Sequence, residues 1–180
     1  IASISRSHAE AGACVLGVTT MLSYTVSLPR IPTEHPPTLV ALHGYGADDR
    51  DLIPVAEAIG DEHLIISLRA PIELAPGAYA WYLLEQTPAG ILPDELSRHE
   101  SEDQVVAELA EIIRREGGDP ENMILMGFSQ GAAVTYSLVA LYNLERYGLK
   151  PSRIIAMSGY LPRDILQTLS ERRLEGLRAF

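Results

Sequence analysis

The sequence predicts an α/β fold, a mostly parallel sheet with helices on both faces, and three observations carry the prediction. Short apolar runs at residues 38–42, 64–68, 123–126 and 154–157 are separated by room for crossovers, as parallel strands require. Asn122-Met123-Ile124-Leu125-Met126 is a continuous rather than alternating run, the pattern of a strand buried on both faces. Between two of these runs, Val105, Val106, Leu109, Ile112 and Ile113 recur at helical spacing and form one apolar stripe.

In chain order, residues 1–20 begin without methionine and carry Arg6, His8 and Glu10 before a brief apolar stretch, Cys14-Val15-Leu16-Gly17-Val18. That stretch is too short for a membrane span and makes a poor signal peptide. Extra upstream coding, a cloning remnant or an extended edge strand would each account for it. Tyr24-Thr25-Val26-Ser27-Leu28, just after Met21, is the first recognisable strand pattern. No linker or repeat divides the chain after Met21, so the expected organisation is a head of residues 1–20 and one domain over 21–180.

Residues 71–99 form the longest irregular stretch, with Pro71, Pro76, Gly77, Pro88, Gly90 and Pro93 among Trp81, Tyr82, Leu83, Leu84, Ile91 and Leu92. Long loops in compact domains are often lids or binding walls, and apolar residues on one would suit an acyl chain. Trp81 fits the wall of a substrate pocket and fits equally an aromatic closing the core. The clearest helix is expected to start at Ser101, whose spacing to Gln104 resembles a capping box, and to end at Gly117-Gly118. A second helix is expected from Ala132, Ala133, Val134, Tyr136, Leu138, Val139 and Leu141, ending near Gly148.

Gly127-Phe128-Ser129-Gln130-Gly131 lies between the run at 123–126 and this second helix, and has the form of a nucleophile elbow. Ser129 would sit strained at the tip of the turn, at the carboxyl end of a sheet strand where ligands of open α/β sheets bind. Gly127 and Gly131 flank it because side chains there would collide as strand and helix pack. The alternative is a glycine-rich turn with a surface serine, and a second motif argues against it. Leu42-His43-Gly44-Tyr45-Gly46-Ala47-Asp48-Asp49 follows the run at 38–42. Acyl transfer needs two backbone donors aimed at the developing oxyanion, one after the nucleophile and one from a loop after an early strand. Gln130 N–H is the expected first donor and Tyr45 N–H the second, with Gly44 and Gly46 freeing the backbone beside Tyr45.

From Met21 to Phe180 the chain resembles the phospholipase and carboxylesterase family of α/β-hydrolases. The family includes bacterial carboxylesterases, acyl-protein thioesterases and lysophospholipase-like enzymes. The resemblance rests on Leu42 to Val55, Leu68-Arg69-Ala70-Pro71, Ala80-Trp81-Tyr82, Gly127 to Ala132 and Ser158-Gly159-Tyr160-Leu161-Pro162. It implies an α/β-hydrolase fold and a serine esterase or thioesterase acting through an acyl-enzyme on Ser129, with no cofactor and no metal. The implied substrates are small-molecule or lipid-like acyl esters, or acylated proteins.

The departure lies in the histidines. His8, His35, His43, His63 and His99 all precede Ser129, whereas the triad of such hydrolases runs Ser, then Asp or Glu, then His. In the family, a further strand after the Ser-Gly-Tyr-Leu-Pro stretch leads to the catalytic aspartate, and the histidine comes later still. Leu177-Arg178-Ala179-Phe180 stands about where that strand should begin, so the domain is expected to be incomplete at its C-terminal end, with acid and histidine beyond it. Asp164 is the one aspartate after Ser129, beside Glu145, Glu171 and Glu175, and reads as a helix N-cap before Ile165, Leu166 and Leu169. His43 reads as loop framework rather than base, and His63 and His99 as ordinary polar positions.

A chain of 180 residues suits one domain with a real core. Its hydrophobic fraction of 47% and mean hydropathy near zero belong to globular proteins without transmembrane segments. A net charge of −10 argues against nucleic acid and anionic membrane surfaces. Cys14 is the single cysteine, so no intrachain disulfide is possible and a cytoplasmic location is expected. No cysteine and histidine cluster has metal-ligand spacing. A rival class is a non-catalytic binding protein that keeps the scaffold without a triad, and a third arrangement has another chain supply the base. Oligomeric state leaves no mark in the sequence.

Overall fold

The alternation of side chains along a strand sends neighbouring residues to opposite faces, and a strand that is apolar throughout must be covered twice. In the computed structural model, which describes residues 5–8, 21–88, 90–168 and 178–179, strand β3 (Pro37–Leu42) meets that condition. Its Val40 and Leu42 join Leu64, Ile66, Leu68, Met123 and Leu125 in a cluster with side chains of two helices, α2 (Glu95–Arg115) and α3 (Gln130–Leu141). Its Leu39 and Ala41 face the other way, packing with Ile65, Ile124, Met126 and, around α1 (Ile53–Glu57), Leu52 and Ala56. Helices thus cover both faces.

Among the described residues, one sheet runs in the order β1-β2-β4-β3-β9-β10-β11. These strands are β1 (Ser5–His8), β2 (Tyr24–Ser27), β4 (Leu64–Leu68), β9 (Asp119–Phe128), β10 (Pro151–Met157) and β11 (Arg178–Ala179), with β3 between β4 and β9. The pairs β3 with β4, β3 with β9, β9 with β10 and β10 with β11 are parallel, whereas β1, β2 and β4 pair antiparallel. The mostly parallel α/β sheet expected from the four apolar runs is the observed one. Register brings Leu42 level with Leu68 on one side and Gly127 on the other, which aligns the carboxyl ends of the central strands. Chain order reverses direction across β3 and β9, so the crevice between their carboxyl ends is the topological switch point.

Three local expectations need correction. Residues 71–99 are not irregular: they fold as two hairpins, β5 (Ile72–Ala75) with β6 (Ala78–Ala80) and β7 (Leu84–Thr87) with β8 (Gly90–Pro93), and then enter α2. Helix α2 starts at Glu95, not Ser101, with Asp94 as N-cap accepting a 2.8 Å bond from Ser97 N–H. Its first turns escape an apolar pattern because Arg98 and Glu102, wholly buried, neutralise one another there. Ser101 instead donates to the Trp81 carbonyl at 2.5 Å. Helix α3 ends at Leu141, and a 3-10 turn (Leu144–Tyr147) follows, closed by Gly148 at φ 69°. Cys14, the apolar stretch around it, Glu171 and Glu175 lie outside the described residues.

Candidate active site

The elbow is built by steric exclusion. A Cβ on Gly131 would stand 2.5 Å from the Leu42 carbonyl carbon and 2.7 Å from the His43 oxygen, and closer still to the Leu42 oxygen. A Cβ on Gly127 would crowd the Gly131 carbonyl and the Ala132 nitrogen, the latter at 2.6 Å. Helix α3 therefore enters against bare backbone of β3 and β9. Between the two glycines, Ser129 takes φ 52° and ψ −111°, a strained conformation for a side chain with a Cβ. Its amide is fixed by donating to Met157 O at 2.9 Å, at the end of β10. Ser158, the next residue of that strand end, also has φ 52°.

The loop after β3 lies beside this turn, since a Cβ on Gly44 would touch the Phe128 ring at 3.0 Å and the Phe128 oxygen at 3.5 Å. Gly46 holds φ +78° with open space around it, so backbone freedom rather than room is what glycine supplies there. Gly46 N–H donates to Tyr79 O at 2.8 Å and Tyr79 N–H to Ala47 O at 2.9 Å, which fastens the loop to β6. Among the described residues no acceptor faces the Tyr45 amide, and the Tyr45 side chain is about half exposed. Gln130, the first residue of α3, has no carbonyl one turn back within the helix to occupy its own N–H.

His43 is wholly buried and uses both ring nitrogens on backbone. Ala70 N–H donates to Nε2 at 3.0 Å, so Nε2 is unprotonated and Nδ1 carries the hydrogen that reaches Gly44 O at 2.7 Å. Burial holds this imidazole below the ordinary histidine pKa. His43 is therefore framework for the loop, as expected. His35 and His63 precede β3 and β4 at the amino ends of those strands, the edge of the sheet opposite Ser129.

Trp81 is a correction. It is fully buried, donates its indole N–H to His43 O at 2.9 Å and stacks at a tilt on the His43 ring, so it closes the core rather than walling a pocket. Leu84, Ile91, Leu92 and Pro93 of the β7–β8 hairpin, with Tyr160 and Leu161, do line a cavity of about 800 Å³. Its charged end carries Glu95, His99, Arg163 and Asp164. Asp164 is not an N-cap either: it lies within the first turn of α4 (Arg163–Thr168) and pairs with Arg98 at 2.5 Å. One wholly buried guanidinium thus serves three carboxylates, Glu95, Glu102 and Asp164, and also donates to Ser137 at 2.6 Å. His99 belongs to this cluster, 3.2 Å from Glu102 and 3.3 Å from Asp164. Glu95, His99 and Asp164 are spaced closely enough to hold a metal ion, but Arg98 already occupies the cationic position among their carboxylates.

Two supporting residues were missed in the sequence. Asp49, buried, accepts from Thr25 of β2 and from Arg69 Nε at 2.7 Å, and Arg69 lies over the Tyr79 ring at 4.9 Å. This chain of contacts ties the loop after β3 to the ends of β2, β4 and β6. The aspartate-rich string after Tyr45 was the available signal, but nothing local says which aspartate turns inward. The second is the Gln130 side chain, which bonds the backbone of Trp81 and Tyr82.

Residues 25–172 match a family model described as Phospholipase/Carboxylesterase. Among solved structures, a Bacillus cereus carboxylesterase is similar at 23% identity and TM-score 0.66, covering 81% of this chain and 63% of that one. A structure of YahD with malic acid is similar at 22% identity and TM-score 0.67, covering 89% and 87% respectively. Esterase PE8 is similar at 27% identity and TM-score 0.61, covering 79% and 66%. The chain spans just under two thirds of the Bacillus cereus carboxylesterase. Among the described residues no helix is long and apolar enough to cross a membrane.

Proposed function

We propose that this chain, which belongs to the phospholipase/carboxylesterase family of α/β-hydrolases, hydrolyses carboxylic esters or thioesters through an acyl-enzyme on Ser129. The observation that carries the reading is the strained Ser129 at the carboxyl end of β9, with the loop after β3 packed against the same turn where Gly44 meets Phe128. Ser129 Oγ attacks the acyl carbonyl while a base takes its proton. The Tyr45 and Gln130 N–H groups receive the developing oxyanion, the alcohol or thiol leaves with a proton, and water then releases the acyl group. His43 is committed to Ala70 and Gly44, so the reading assigns the general base and its orienting acid to residues outside these 180. Leu84, Ile91, Leu92 and Leu161 line an apolar cavity whose walls do not include Ser129 and whose lining suits a lipid-like acyl chain, with lysophospholipids and acylated proteins within the same class as simple esters. Cytoplasmic residence belongs to this reading and rests on the single cysteine.

The test uses the 180-residue chain, a p-nitrophenyl ester and added imidazole. Expected is very slow hydrolysis, with an imidazole acceleration above that of imidazole and ester alone in the parent and none above that blank in Ser129→Ala. Robust Ser129-dependent turnover without imidazole would return the base to this chain and to His43. Hydrolysis indifferent to Ser129→Ala would instead support a non-catalytic scaffold.

A further inference from the structure

Two amides from different parts of the chain must point at one oxygen, and an amide at a helix start after a strained residue has no ladder to hold it. The structure supplies an anchor for one of them. Gln130 is buried, and its carboxamide makes two opposed bonds: Oε1 accepts from Trp81 N–H at 3.0 Å and Nε2 donates to Tyr82 O at 2.8 Å. Trp81 is in turn bonded from its indole to His43 O at 2.9 Å, at the root of the loop that carries Tyr45. Ser101 of α2 holds the Trp81 carbonyl, and Tyr160 holds the Tyr82 hydroxyl at 2.8 Å. Both candidate oxyanion amides are therefore referenced to the same Trp81-Tyr82 segment, one through a glutamine side chain and one through a histidine carbonyl.

We infer that the Gln130 side chain is a positioning residue for the oxyanion hole, locking its own backbone N–H in register with that of Tyr45 by clamping Trp81 N and Tyr82 O. The inference rests on the serine-hydrolase reading above. The site requires one acceptor and one donor on a single short side chain, and glutamine provides both. A methionine of similar shape provides neither. An ionised glutamate provides only acceptors and faces the Tyr82 carbonyl with repulsion, whereas its protonated form restores both bonds.

The experiment measures phosphonylation of Ser129 by an alkyl fluorophosphonate, with imidazole added at fixed concentration to take the Oγ proton as fluoride leaves, followed as adduct mass, because this is a single chemical event that senses the oxyanion hole without turnover. Parent, Ser129→Ala, Gln130→Met and Gln130→Glu are compared across pH, with saturation curves to separate probe binding from the bonding step. Expected for Gln130→Met is a bonding rate lower by about tenfold to a hundredfold, with half-saturation unchanged, since part of one oxyanion donor is lost. For Gln130→Glu, the ratio of its rate to the parent's at the same pH should rise as the solution is acidified and the buried carboxyl protonates. A loss confined to half-saturation, or a Gln130→Met rate equal to the parent's, overturns the inference. Should Gln130→Met fail to fold, a Gln130→Glu ratio flat with pH overturns it equally. Labelling that survives Ser129→Ala would bring down the hydrolase reading itself, a result distinct from any of these.

Discussion

Replacing Gly131 with alanine puts the elbow's packing to the test. The new Cβ would stand 2.5 Å from the Leu42 carbonyl carbon and 2.7 Å from the His43 oxygen, where real Cβ contacts essentially never fall under 3.0 Å. The obstructing atoms are backbone of a central strand and cannot rotate aside. Overpacking of this kind costs about 1–3 kcal/mol, and rigid backbone on both sides places it near 3. For a chain of this size each kcal/mol moves the melting temperature by about 2–4 °C, so Gly131→Ala should melt roughly 6–12 °C below the parent. Gly46→Ala is the matched control, because it meets nothing within 4 Å and only strains a backbone at φ +78°. Its cost is about 1 kcal/mol and its shift roughly 2–4 °C. Thermal unfolding by circular dichroism measures both. A Gly131→Ala shift no larger than that of Gly46→Ala would refute the claim that close approach of α3 to β3 fixes this position.

Ser129→Gly should abolish fluorophosphonate labelling and yet melt slightly higher, by about 2 °C, because relief of the φ 52° strain exceeds the added chain entropy; a lower melting temperature would contradict the strain. Arg98→Met leaves Glu102 buried without its counter-charge and should cost about 3–5 kcal/mol at neutral pH. Burial already raises the Glu102 pKa, and a raised carboxyl contributes stability below its ordinary value that is lost as pH rises through the folded value. The deficit of Arg98→Met should therefore shrink on acidification, and denaturant melts at several pH values would show a constant deficit if the cluster is not the cause. His43 has a lowered pKa, so its contribution is present above 6.5 and lost as pH falls through the folded value. Between about pH 7.5 and 5 the melting temperature of His43→Gln should fall less steeply than the parent's, and parallel curves would exclude burial of a neutral imidazole.

The turn around Ser129 was legible because its motif depends on neighbours in sequence. A strand, a tight turn and a helix follow one another around Ser129, and the glycines at 127 and 131 report the close approach directly. Continuous apolar runs likewise announced the central strands, since a strand covered on both faces leaves a pattern in its own residues. The first turns of α2 were not legible: Arg98 and Glu102 look like a solvated pair, and Arg98 is buried against further partners far along the chain, Asp164 and Ser137. Trp81 was ambiguous for the same reason, because an aromatic on a long connection becomes core or pocket wall according to what folds over it.

By itself, then, the sequence determined the sheet, the serine at its turn and the two amides expected to flank it, all consequences of local sterics and of periodicity. Tertiary structure alone decided which buried polar side chains brace the loop after β3 and the start of α3. Asp49 reaches Thr25 and Arg69, His43 divides its ring between Gly44 and Ala70, and Gln130 clamps Trp81 and Tyr82. Such bonds join residues distant in sequence, and a buried polar group announces its partner only once the fold has brought the two together.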